Sequence, residues 1–188
     1  MAAPTDFAQR VRNCTDRLTV AGVDALGALF DLTCHRLVRF AVTVTRNQHD
    51  AEDCVQTALV RVAREPSLLR SVACPWAYLL RMVRNEALRI GRRKRQRPMV
   101  GDLTDLVTLR SVDELEREET HREVWSALRT LPPKQAEVVV LKIWEGMTFV
   151  QIGQILDTSP NTAASRYQYA LAKLTRRLSQ QHREVHRD

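Results

Sequence analysis

The sequence predicts an all-α chain: two small helical domains joined by a flexible linker, the C-terminal one a helix-turn-helix. Three observations carry that prediction. Apolar residues recur three and four apart along most of the chain, the period of an amphipathic helix. Aromatic residues are only 5% and long alternating Val/Ile/Thr runs are missing, a poor fit to a β-sandwich or barrel. Charge comes in blocks. From Arg81 to Arg97 eight basic residues stand against Glu86 alone, and the run Arg92-Arg93-Lys94-Arg95-Gln96-Arg97 ends the block. From Asp102 to Glu123 eight acids face Arg110, Arg117 and Arg122, and from Arg166 onward six basic residues face two acids. A length of 188 residues allows one ordinary domain or two small ones, and 44% hydrophobic residues suffice for a core.

The elements follow in order. The first 25 residues carry no readable pattern and are expected to be a short helix or a frayed arm. Leu26, Leu29, Phe30, Cys34, Leu37, Ala41 and Val44 form the apolar stripe of a first helix. Asp50 is the expected cap of a second, with Glu52 and Asp53 favourable in its first turn and Val55, Ala58, Leu59 and Val62 buried. Pro66 closes it. Pro75 suits the first turn of a third helix, whose stripe is Trp76, Leu79, Leu80, Val83, Ala87 and Ile90 and whose other face carries Arg81, Arg84, Asn85 and Arg89. From Gly91 to about Ser111 the period breaks, which predicts a tether. A helix resumes near Asp113 and ends at Pro132-Pro133; the next is expected to bury Val138–Leu141 and Ile143-Trp144 and to stop before Gly146. Thr148-Phe149-Val150-Gln151 is a capping box, Asp157-Thr158-Ser159 a tight turn, and Ser159-Pro160 the start of a long helix with Ala164, Tyr167, Leu171, Leu174 and Leu178 as its buried stripe. Short helix, three-residue turn and long helix make the helix-turn-helix pattern, with Gly153 small enough for a close crossing.

The pI near 9.7 and net charge of +7 favour an acidic partner, and nucleic acid is the commonest. A run as dense as Arg92–Arg97 suits phosphates, because clustered guanidiniums release counterions from a backbone. In the helix-turn-helix the second helix reads, and Asn161, Thr162, Ser165 and Arg166 face away from its apolar stripe, with Lys173, Arg176 and Arg177 placed for phosphates. Two basic blocks around an acidic one therefore predict two nucleic-acid-facing modules and a spacer.

The motifs together resemble those of the extracytoplasmic-function sigma factors, small members of the sigma-70 superfamily. Asp50-Ala51-Glu52-Asp53-Cys54-Val55-Gln56 is similar to their D-A-E-D-hydrophobic-V-Q signature, and Pro75 to Leu88 looks like their W-L-x-x-I-A-R-N-x-A segment. Leu131-Pro132-Pro133-Lys134-Gln135 and Thr148 to Leu174 resemble the opening and the reader of their second domain. The resemblance covers residues 26–178. It implies region 2 over residues 26–97, a linker over 98–112, region 4 over 113–180 and a tail over 181–188. It implies core RNA polymerase, promoter DNA and an anti-sigma factor as partners, no cofactor and no metal. It puts Asp50, Glu52, Asp53 and Gln56, flanked by Leu59 and Arg61, against polymerase. It puts Arg81, Arg84, Asn85, Arg89, Arg92 and Arg93 on or beside the −10 element, and the reader residues on the −35 element. The chain departs from the family pattern at Tyr169-Ala170-Leu171, where R-A-R is usual, at Val150-Gln151-Ile152-Gly153 for E-I-A, and at Asp157, where Gly is usual.

Other functions fit less well. Five scattered histidines, no H-E-x-x-H, no Gly-rich phosphate loop and no nucleophile elbow leave an enzyme without machinery. A stand-alone helix-turn-helix regulator would not use the D-A-E-D-x-V-Q segment, and an anti-sigma or adaptor module would not need a basic reader helix. No stretch approaches a membrane span and Met1–Arg12 lacks a signal design, so a cytoplasmic protein is expected. Cys14, Cys34, Cys54 and Cys74 have no C-x-x-C or zinc spacing and are expected as free thiols.

Overall fold

The computed structural model describes residues 4–96 and 118–185. Every element among them is a helix: α1 (Pro4–Thr45), α2 (Gln48–Arg64), α3 (Ser67–Arg70), α4 (Pro75–Gln96), α5 (Glu118–Thr130), α6 (Pro133–Ile143), α7 (Phe149–Leu156) and α8 (Pro160–Val185). The chain divides into two compact units, residues 1–106 and 107–188. The expected linker 98–112, Arg97 and the helix start near Asp113 lie outside the described residues.

In the first unit α1, α2 and α4 pack on one another around Leu29, Leu37, Phe40, Val62, Trp76, Leu79 and Leu80. α1 is two helical arms joined at Gly22, whose φ of 53° and ψ of −121° break the helix. Residues 4–21, which carry no pattern readable in the sequence, supply core: Phe7, Val11, Thr15 and Leu18 are buried at four-four-three spacing. The buried line of the second arm runs Ala25, Leu29, Thr33, Leu37 and Phe40. Phe30, expected on the stripe, lies one step off that line and is 47% exposed. Thr33 is tolerated inside because its hydroxyl donates to the Leu29 carbonyl at 2.7 Å.

The cap of α2 is Asn47 rather than Asp50. Asn47 has extended backbone and its Oδ1 accepts from the Asp50 amide at 2.9 Å, which leaves Asp50 in the first turn facing the positive end of the helix. The segment after Pro66 contains one helical turn, α3, pinned by fully buried Leu69. α4 does not stop at Gly91 but runs to Gln96. One glycine inside a helix costs about 1 kcal/mol; the helix nevertheless continues past it, and Lys94 reaches Asp50 of α2 from that last stretch.

In the second unit α6 is central. Ala136 to Leu141 are buried on successive positions, so the middle of the helix is covered on all sides, whereas Ile143, expected to be buried, is 48% exposed at its end and Trp144 is half-buried. Leu128 and Leu131 of α5 and Ile152, Ile155 and Leu156 of α7 complete the core, and Trp125 and Trp144 stack at 5.7 Å. Gly146 takes φ 63° after α6, as its position in the sequence predicts. The capping box forms as predicted: Thr148 Oγ1 accepts from the Gln151 amide at 3.2 Å and Gln151 Oε1 from the Thr148 amide at 2.9 Å. Asp157 closes α7 in the left-handed conformation, φ 51° and ψ 57°. Gly153 is required by the turn that folds back on α7: a Cβ there would stand 2.7 Å from the Thr158 carbonyl oxygen. Burial also corrects the stripe of α8. The fully buried residues are Ala163 and Ala170, whereas Ala164, Tyr167, Leu171, Leu174 and Leu178 are half-buried. Small side chains thus line the buried seam, and the larger ones lie along its edges. α8 continues through the expected tail to Val185.

Candidate nucleic-acid interface

The face of α8 away from its seam holds most of the predicted reader residues. At 100° per residue, Asn161, Thr162, Ser165, Lys173 and Arg176 point away from the seam of Ala163, Tyr167, Ala170 and Leu174, whereas Arg166 and Arg177 flank it. Asn161, Ser165, Lys173, Arg176 and Arg177 are exposed; Arg166 is half-buried. Ser159 starts the helix, its Oγ accepting from the Thr162 amide at 3.0 Å, and the Thr162 hydroxyl lies 2.8 Å from that same oxygen. Thr162 is therefore committed in part to the cap. The centre of this face is Tyr169, 67% exposed, a residue absent from the predicted set. Its spacing from Ser165, four residues, placed it there all along.

In the first unit α2 and α4 border one groove with two chemically distinct ends that share Thr57. At one end lie Arg61, Tyr78, Arg81, Met82, Asn85 and Glu86. Arg61, expected beside polymerase, thus joins two residues expected at the −10 element. A guanidinium pair, an amide and a phenol ring around one recess suit an unpaired base, which needs cations for its phosphate, polar edges for its bonding groups and a ring for its face. Tyr78 is a member the sequence reading missed; its position three residues before Arg81 on the same helix was the available signal.

At the other end Asp50, Asp53 and Gln56 of α2 face Arg89, Arg93 and Lys94 of α4. Lys94 Nζ bonds Asp50 Oδ2 at 2.7 Å, bridging the two helices, and Arg89 Nη2 pairs with Glu86 at 2.6 Å along its own helix. Acidic residues assigned to a protein partner and basic residues assigned to DNA are therefore neighbours here. Glu52 and Arg92 are exposed and Arg84 half-buried, but none of the three lines the groove. Leu59 is 5% exposed and belongs to the core, so its side chain cannot present itself to a partner.

Burial holds the Cys34 thiol up from its ordinary value, aided by Glu52 and Asp31. Burial pushes Cys54 up to about 12, with Glu86, Asp50 and Asp53 adding to it against Arg89. All four cysteines are free. Among the described residues no group of three or more His, Cys, Asp or Glu is arranged to hold a metal ion, and no helix is long and apolar enough to cross a membrane.

Two family models match the two units: Sigma-70 region 2 over residues 29–97 and Sigma-70, region 4 over residues 121–174. The RNA polymerase sigma-E factor of Streptomyces avermitilis is 33% identical over 144 residues, which cover 76% of this chain and 78% of that one. The chain belongs to the extracytoplasmic-function sigma factors. The ECF RNA polymerase sigma factor SigM of Mycobacterium tuberculosis is 30% identical over 154 residues, 82% of this sigma factor and 77% of that one. The fold is that of solved sigma-factor structures. CnrH, in complex with the cytosolic domain of CnrY, matches with a TM-score of 0.62 at 22% identity, over 90% of this chain and 97% of that one. The sigma factor RpoE from Bartonella quintana, in complex with the anti-sigma factor NepR, matches with a TM-score of 0.61 at 20% identity, over 80% and 94%. The region 2 match contains the α2–α4 groove, and the region 4 match contains α7 and α8 as far as Leu174.

Proposed function

We propose that this chain, as an alternative sigma factor, binds core RNA polymerase and gives it promoter choice through two separate readers. Residues 26–97 act as the polymerase and −10 module and residues 113–180 as the −35 module. The observation that carries the reading is the polar and basic surface of α8 outside its alanine seam, in a unit built as a helix-turn-helix. Arg166 and Asn161 near the start of α8 contact bases of the −35 duplex, and Lys173, Arg176 and Arg177 contact phosphates. In the first unit Arg61, Tyr78, Arg81 and Asn85 receive unpaired −10 bases, while Arg89, Arg92 and Arg93 carry the strand's phosphates. Asp50, Glu52, Asp53 and Gln56 meet polymerase.

The division of labour has a physical logic. Phosphate contacts and polymerase supply most of the affinity, and a few base contacts in each element supply selection. Polymerisation chemistry belongs to core polymerase, so this chain is not itself an enzyme. It acts in the cytoplasm, and an anti-sigma factor restrains it by covering the same basic faces, as one of the solved relatives is held by NepR.

The test is titration against bacterial core RNA polymerase followed by run-off transcription on a promoter library. Tight binding with transcripts from promoters sharing a −35/−10 pair is expected. No binding to polymerase, with specific duplex binding retained, overturns the reading in favour of a stand-alone regulator.

A further inference from the structure

The N-terminal arm of α1 lies ahead of the region 2 match, which begins at residue 29. It is nevertheless tied to the chain that launches α4. Half-buried Arg12 donates from Nη2 to the carbonyl oxygens of Val72 at 2.7 Å and Ala73 at 2.6 Å. Both carbonyls lie in the bend between α3 and α4, outside any helical ladder. The next carbonyl, of Cys74, accepts from the Tyr78 amide at 3.1 Å and opens α4. The same arm places Phe7 edge-on against Trp76, the second residue of α4, with ring centroids 5.0 Å apart. Thr15 in turn donates its hydroxyl to the Arg12 carbonyl at 2.8 Å. A guanidinium bridging two carbonyls is a charged donor on otherwise free acceptors, stronger and more directional than a neutral contact. The arm thus grips the bend by its backbone and the first turn of α4 by its ring.

We propose that this arm is a positioning element for promoter opening. Arg12 sets the 71–74 bend, and the bend sets how α4 presents Tyr78, Arg81 and Asn85 to unpaired −10 bases. Arg12 touches no DNA in this scheme; it acts through the bend. The inference rests on the reading of α4 as the −10 helix. Gly22 offers a second handle on the same device. Its φ and ψ belong to a region only glycine enters readily, although no atom would crowd a Cβ there. Gly22→Ala therefore perturbs the arm from its far end while leaving Arg12 and the bend chemically intact.

The experiment uses holoenzyme reconstituted from bacterial core polymerase with wild type, Arg12→Ala, Arg12→Lys or Gly22→Ala. Run-off transcription is read on a library varied at both promoter elements, and amide hydrogen exchange is read on each free full-length chain. Arg12→Ala is expected to flatten discrimination among −10 variants by about tenfold, a fraction of what its two charged hydrogen bonds contribute, with the −35 ranking kept. Arg12→Lys recovers part of it, and Gly22→Ala gives the same pattern. Amides of residues 71–78 exchange faster than those of α2 in Arg12→Ala and Gly22→Ala. A −10 profile unchanged in Arg12→Ala overturns the proposal. So does equal loss at both elements with exchange quickened evenly through the unit, because that is stability and not positioning. Wild-type holoenzyme with no −10 preference instead overturns the assignment of α4 and takes this proposal with it, a result distinguishable because it precedes any substitution.

Discussion

Phe7 tests whether the N-terminal arm is core or ornament. It is 6% exposed, meets Trp76 at 78° between ring planes, and has the Arg36 guanidinium carbon 3.8 Å from its ring centroid. Truncating a buried Phe to Ala costs about 3–5 kcal/mol in a rigid core. An arm at the chain end can relax around the cavity, so the lower value, about 3 kcal/mol, applies here. Phe7→Leu keeps most of the buried area and removes only ring geometry. That is an edge-to-face pair of about 0.5–1.5 kcal/mol and a cation–π contact of about 0.5–1 kcal/mol, together about 1–2.5 kcal/mol. Two units in one chain make a single unfolding curve ambiguous. The assay is therefore urea unfolding followed by the fluorescence of Trp76 in a Trp125→Phe/Trp144→Phe background, which leaves only the first unit reporting. A loss below about 1 kcal/mol for Phe7→Ala refutes the placement of the arm in the core. Phe7→Leu equal to wild type beside a costly Phe7→Ala refutes the ring argument and leaves burial alone.

Three further outcomes follow from the same geometry. Arg166→Ala should weaken −35 duplex binding by about 1–3 kcal/mol, and Asn85→Ala should impair −10 opening while leaving that duplex binding nearly intact; permanganate footprinting and gel shift separate the two, and equal loss of both steps in either variant contradicts the split. Tyr169→Arg places a cation at the centre of the α8 face, so the slope of log affinity against log salt for −35 duplex should steepen by about 0.9; an unchanged slope removes Tyr169 from the DNA side. Cys54, held up to about 12 against an ordinary 9.0, is protonated in both states at neutral pH. Above pH 9 only the unfolded chain loses that proton, so stability falls by up to about 1.4 kcal/mol per pH unit; urea midpoints from pH 8 to 10.5 should fall less steeply in Cys54→Ala, and parallel curves would refute the shift.

Much of the architecture was legible because it rests on local rules. The capping box at Thr148 and Gln151, the left-handed turn at Asp157, Pro75 and Pro160 opening helices and Gly153 under the turn at Thr158 each depend on a few adjacent residues. Local cues misled where two residues competed for one task. Asn47 outbids Asp50 as the cap because the chain leaving Arg46, at φ 59°, delivers its side chain to the right amide. Gly91 reads as a break in isolation and is helical because α2 covers the flank of α4.

The candidate site divides along the same line. Which side chains carry positive charge, and on which helix face, follows from 3.6-residue periodicity, and the sequence determined that much alone: the α4 and α8 faces, two modules and the helix-turn-helix. Which residues of different helices meet was decided only in three dimensions. The joining of Arg61 and Tyr78 to Arg81 and Asn85, the Lys94–Asp50 bridge, the burial of Leu59 and the reach of Arg12 across sixty residues to Val72 all depend on how helices cross. A helix's period says which residues share its surface; it carries no information on what another helix brings to that surface.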